Sequence, residues 1–213
     1  MVNISQVFLT DNDDKLPKLF VDASNSVKKN LIHTDYHLYG KEELQEFIKE
    51  HFPNEVKKSF DKLKPYALKK DLANYSLAYI IGGWFIDISI KIKLPLNIKT
   101  LTSLEFFGFR DYGPGILNPN TLNYLLQTSL FYSQPGSKIM GKAIEISIEN
   151  CKNEFYGLTP SCITGPSVLG RAQAFFGTNE NQIIGFFLPL TNEFKQKNRS
   201  YILPTGDIFA LHK

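Results

Sequence analysis

Gly82-Gly83 separates two stretches of different period, and this junction constrains the fold more than any other feature of the chain. Before it, Leu68, Leu72 and Tyr79 form one apolar stripe at helical spacing, which Leu77, Ile80 and Ile81 extend. Asp71, Asn74 and Ala78 share another face of the same helix, with Tyr75 beside them. After the glycines, "WFIDISI" alternates as a strand does. Trp84, Ile86, Ile88 and Ile90 point one way, and Phe85, Asp87 and Ser89 the other. A mostly buried helix is therefore expected to turn sharply into a strand over 84–90, returning Asp71 and Asp87 to one region. A carboxylate in so apolar a run needs a partner, a cation or a proton. Two alternatives stand: Asp87 caps a backbone amide at the strand end, or it holds a cation. Mg²⁺ or Mn²⁺ on carboxylate oxygens, with a nucleotide diphosphate supplying further ligands, satisfies the second.

The remaining pattern places this unit in an α/β chain. "NISQVFLT" reads as a first strand, residues 22–31 as a helix and "HTDYHLYG" as a second strand. "KEELQEFIKEHF" is a helix with Leu44, Phe47, Ile48 and His51 near one stripe. Pro53 and Pro65 each open a further helix. From Leu94 to Ser133 short strands alternate with Gly, Pro and Asn turns, "GPGILNP" among them. Residues 136–151 read as a helix, and "ITGPSVLGRAQAFF" as a loop entering one. "QIIGFFLPL" and "SYILPTGDIFALH" are late strands. Early alternation of strand and helix implies parallel pairing, and the later strands antiparallel pairing, so a mixed central sheet is expected.

Composition narrows the function. Of 213 residues, 43% are hydrophobic and 21% charged, which argues against disorder. A net charge of +3 gives no case for nucleic acid. Lys57, Lys58, Lys62, Lys64, Lys69 and Lys70 cluster, as a solvated helix face or as a weak attraction to anionic lipid or a charged acceptor. The start "MVNISQVFLTDNDD" lacks the features of a signal peptide, and no run is long enough to span a bilayer. A cytoplasmic setting is expected, with at most peripheral contact at the inner membrane face through residues 57–70. Cys151 and Cys162 match no zinc spacing and read as small hydrophobes in a reducing compartment. His33, His37 and His51 suggest no partner. "GFRDYG" lacks the Gly-Lys-Ser/Thr of a phosphate loop, and Arg110 and Asp111 are expected in a loop over the acceptor side.

"KKDLANYSLAYIIGGWFIDIS" resembles the donor-site block of glycosyltransferases with a DxD sugar-binding motif (family 32-like). That group includes yeast mannosyltransferases, capsule and lipopolysaccharide sugar transferases, and glucosylating clostridial toxins. Asp71, Tyr75, Gly82, Gly83 and Asp87 stand at matching spacing. "TGPSVLGRA" is similar to the family's Thr-Gly-Pro loop and following helix, "ISQVF" to its first strand, and "ALHK" to its late histidine. The chain departs from the pattern at four positions. Asn74 stands for the family's arginine, Ser89 for the second aspartate, Ser5 for the strand-one histidine and Phe8 for the tryptophan. A serine hydroxyl is a poorer ligand for a hard cation than a carboxylate, and asparagine cannot neutralise phosphate charge.

The resemblance implies a single domain of the glycosyltransferase A type over residues 1–213. A Rossmann-like nucleotide-sugar-binding half to about residue 95 would be fused to an acceptor-binding half. It implies a retaining hexosyl transfer from a UDP- or GDP-linked donor to a surface glycan such as capsule or lipopolysaccharide, with weak Mn²⁺ or Mg²⁺ use. The alternative is a catalytically weakened nucleotide-sugar or glycan binding protein on the same scaffold. Asp71 and Asp87 are the implied catalytic pair. Phe8 would stack on the base, and Asp71, Asn74, Tyr75 and Gly83 would surround the donor. Asp87 would face the ribose and the cation, while Gly165 and Pro166 would shape the sugar pocket. Ser89 and His212 would complete the metal shell with Asp87.

Overall fold

The computed structural model describes residues 2–11, 16–32, 34–95, 103–111, 124–157, 159–189 and 199–212. The calls on "GPGILNP", on His33 and on most of the "DNDD" turn fall outside these residues. The strands are β1 (Val2–Val7), β2 (Thr34–Tyr39), β3 (Gly83–Ile86), β4 (Ile90–Ile92), β5 (Phe106–Asp111), β6 (Leu130–Ser133), β7 (Gln182–Pro189), β8 (Arg199–Ile202) and β9 (Ile208–His212). The helices are α1 (Lys18–Asn30), α2 (Lys41–His51), α3 (Asn54–Lys62), α4 (Tyr66–Ile80), α5 (Lys138–Lys152) and α6 (Pro166–Phe176). Pro53 and Pro65 stand immediately before α3 and α4, with φ of −56° and −66° preset for a helix start.

The nine strands of the described residues join one mixed sheet in the order β2-β1-β3-β6-β5-β7-β8-β9-β4. β1 pairs in parallel with β2 and β3, and β5 with β7; the other neighbours are antiparallel. Only residues 87–89 separate β3 from β4, yet the two strands lie far apart in the sheet order. The sheet must therefore curl until β4 returns beside the end of β3. Following the pairings, β1, β2, β3, β5, β7 and β9 run one way, and β4, β6 and β8 the other. One rim of the sheet thus gathers the ends of the first set and the starts of the second, including Val7, Ile86, Ile90, Asp111, Leu130, Arg199 and His212.

The core has two layers. Trp84, Ile86, Ile90, Phe107, Phe109, Leu130, Tyr201 and Phe209 fill the inside of the curl, which α1 closes with Val27 and Leu31. Phe85, Phe106 and Phe131 face outward under the helices, where Phe85 stacks on Phe131 at 5.1 Å. α4 lies at the centre of this outer layer. From Leu68 to Ala78 every residue of it except Lys70 is buried, so an amphipathic stripe is absent because all faces are packed. No helix among the described residues is long and apolar enough to cross a membrane.

Two expectations are corrected. The strand expected over 84–90 stops at Ile86, and residues 87–89 form a turn. The alternation therefore holds through Ile86 and does not carry Asp87 and Ser89 on a strand face. Arg110 and Asp111 close strand β5 and are not in a loop.

Candidate donor site at the sheet rim

The turn after β3 is built by Asp87 itself. Its Oδ1 accepts hydrogen bonds from the Ser89 backbone N–H at 2.9 Å and from the Ser89 hydroxyl at 2.7 Å. Its Oδ2 meets the Lys70 ammonium in an ion pair whose side chains are 22% and 12% exposed. Its backbone N–H donates to the Ser129 carbonyl, and its carbonyl accepts from Ile90 N–H and from Gln6 Nε2. Burial pushes the Asp87 carboxyl up, but the Lys70 charge and the Ser89 donors outweigh it and hold it below the usual carboxylate range. The carboxylate thus caps a backbone amide, as the first sequence alternative expects, and its other oxygen is held by a lysine ammonium.

α4 supplies the other half. Asp71 is 6% exposed, and burial pushes its carboxyl up to about 7 against the pull of Lys70 and of a hydrogen bond from Thr128. The Asp87 charge lies near enough to raise it further, so the two carboxylates approach the same rim. Asn74 is buried at 5% exposure, one turn on from Lys70. The Tyr75 hydroxyl is fully buried and donates to the Thr164 carbonyl at 2.7 Å, with the Gly165 carbonyl at 3.4 Å. Tyr75 therefore ties α4 to the Thr-Gly-Pro loop and is not open to a ligand. Gly82 and Gly83 have φ of +63° and +103°, and a Cβ on Gly83 would stand 2.3 Å from the Asn3 carbonyl oxygen. Gly83 begins β3, at the opposite end from Asp87, so its place is in packing β3 on β1 rather than in donor contact.

Phe8 follows β1 at the rim, half-buried and edge-on to Phe20. His212 pairs in register with Ile90 and so stands beside the Asp87 turn. Its ring lies near Phe187 and Tyr201, at 6.0 and 6.4 Å, and burial holds its pKa down, with the Asp87 charge opposing. A buried polar chain continues along the rim. Gln127 donates to Asp111 at 2.6 Å, Ser129 to Gln127 at 3.1 Å, and Tyr201 and Ser129 share a 2.6 Å bond. Arg199 reaches Asp111 from β8. Beyond the Thr-Gly-Pro loop, Pro166 lines a cavity of about 830 Å³ whose polar wall includes Asp111, Glu149, Asn150 and Arg171.

The donor set does not fit a divalent cation as it stands. An ammonium occupies one Asp87 oxygen, and Ser89 turns its hydroxyl inward onto the other. Among the described residues no group of three or more His, Cys, Asp or Glu side chains could hold a metal. Sequence reasoning missed Lys70, Gln6 and Thr128. Lys70 was hidden in a lysine run read as a solvated face. In the structure Lys57 pairs with Asp61, Lys62 with Glu154, and Lys69 donates to the buried Phe60 carbonyl, which leaves Lys58 and Lys64 as the cluster's exposed remainder. His37 contacts Glu43, and His51 stacks on Phe47.

A curled mixed sheet with helices packed on its outer face, and a polar rim at the ends of its parallel strands, has the architecture of a glycosyltransferase of the A type. Among solved structures, the chain is similar to one described as PaToxG Glycosyltransferase. The TM-score is 0.60 at 11% identity, over 80% of this chain and 67% of that one. No protein-family model and no curated protein matches the sequence.

Proposed function

We propose that the chain is a retaining glycosyltransferase that moves a hexose from a UDP- or GDP-linked donor to a surface-glycan acceptor. The observation that carries this reading is the meeting of Asp71, Asp87 and His212, from three separate elements, at one rim of a glycosyltransferase fold. Buried carboxylates kept where a neutral residue would be less costly point to a ligand. Asp71 would accept hydrogen bonds from donor-sugar hydroxyls, and Phe8 would lie along the base. The acceptor would enter from the cavity lined by Asp111 and Arg171.

Among the described residues no side chain stands out as a dedicated base for the acceptor. In the proposed reaction the bond from the sugar C1 to the diphosphate oxygen breaks, and the acceptor oxygen bonds to C1 on the same face. Its proton passes to the leaving phosphate oxygen, and positive charge beside the diphosphate stabilises what develops there. Such an enzyme would work in the cytoplasm or at the inner membrane face, on glycan or lipid-linked glycan.

Release of free UDP or GDP from a panel of nucleotide hexoses without acceptor tests this reading. Wild type is expected to hydrolyse at least one donor, and Asp71→Ala to lose most of that activity. A second reading, a binding protein on the same scaffold, is favoured by the engagement of both Asp87 oxygens within the protein. Binding of a nucleotide sugar with no release by wild type would select it.

A further inference from the structure

We infer that Lys70 replaces a divalent cation in this site: its ammonium, held on Asp87, is the group that meets the donor diphosphate, and the donor binds without metal. The inference rests on the donor-site reading above and names the charge that reading requires. Asp87 stands at the rim just past β3 with a side chain 12% exposed, and each of its oxygens is already engaged. A hard divalent cation would have to displace an ammonium from the same carboxylate and then sit beside it, against like-charge repulsion. A second carboxylate does not offset this. Asp71 is 6% exposed and burial raises its carboxyl, so it offers a hydrogen bond to a sugar hydroxyl more readily than a charged oxygen to a cation. His212 is set among Phe187 and Tyr201.

Lys70 has what the role needs. An ammonium carries three donors, and a monodentate hold on Asp87 Oδ2 leaves donors for a phosphate. Its side chain is 22% exposed, so it is reachable from the rim while the rest of α4 around it is buried. Asp87 fixes its position before a ligand arrives, which lowers the entropy lost on binding. Lysine acts on phosphate as a point charge, so the loss of a bidentate side chain at Asn74 does not prevent neutralisation. One ammonium brings half the charge of Mn²⁺, and the affinity for diphosphate is correspondingly modest.

Calorimetric titration of UDP and GDP into the full chain, in excess EDTA and in millimolar Mn²⁺, tests the inference without any variant. Equal affinity in the two buffers, within about twofold, is the expected result. Lys70→Gln, checked for folding by thermal unfolding, is expected to weaken binding at least about tenfold in EDTA, and Lys70→Arg to retain most of it. Binding that requires Mn²⁺, or that survives Lys70→Gln undiminished, would overturn the inference and leave the donor-site reading standing. Absence of nucleotide binding in both buffers would overturn the two together.

Discussion

Asp71 costs the fold stability that a neutral side chain would not. Its carboxyl is raised from 3.8 to about 7, so the folded chain keeps a proton that the unfolded chain releases near pH 4. The penalty is absent below the unfolded value, grows between about pH 4 and 7, and is complete above that, at roughly 4 kcal/mol. Asp71→Asn is therefore expected to stabilise the protein by about 2–4 kcal/mol at pH 8 and by little at pH 4, measured by urea unfolding. An equal gain at both pH values would mean the carboxyl is not held neutral. Asp87 has the opposite sign. Its pKa is lowered, so its contribution is present above the unfolded value of 3.8 and is lost as pH falls through the folded one. Asp87→Ala removes a turn cap and strands the Lys70 ammonium, and should cost roughly 2–4 kcal/mol. A midpoint unchanged from wild type would show that solvent already screens the pair. In the sequence Lys70 belongs to the lysine cluster, and nothing there marks it as the partner of Asp87. Their pairing depends on how the Gly-Gly turn folds β3 back along α4, which residue spacing suggested for Asp71 but not for its neighbour.

At the scale of elements, the helices were legible because prolines and glycines punctuate them. α3 and α4 begin one residue after Pro53 and Pro65, and α4 ends just before Gly82. Apolar alternation misled where a side chain could imitate the backbone. Ile88 and Ile90 continue the strand pattern, but the Asp87 carboxylate bonds the Ser89 N–H and bends the chain, so Ile90 opens β4 at a distant place in the sheet. The junction itself gives a sharp comparison. Gly83→Ala combines a φ of +103° with a Cβ driven 2.3 Å from Asn3 O, between two paired strands, and should cost about 3 kcal/mol or more. Gly136→Ala meets nothing within 4 Å and carries only the strain of a φ of +70°, about 1 kcal/mol. Similar losses in thermal unfolding would contradict the close packing of β3 on β1. Tyr75→Phe leaves the ring packed and removes its bond to Thr164, and should cost about 1–2 kcal/mol. An unaltered Tm would show that the Thr-Gly-Pro loop does not depend on that tether.

For the whole molecule, the curl of the sheet is the decisive feature. It sets β9 beside β4, and so brings His212 to a turn made by Asp87 and faced by Lys70. A mixed α/β sheet could be read from the alternation of elements. The return of β4 could not, since it arises from pairing between residues more than a hundred positions apart. The central claim is that this rim is where a nucleotide sugar sits. A crystal structure of the protein grown with a UDP- or GDP-hexose that it binds tests that claim most directly. The account predicts the diphosphate against Lys70, with the sugar toward Asp71 and the base toward Phe8. A nucleotide seated elsewhere, for example wholly within the cavity lined by Glu149 and Arg171, would contradict it.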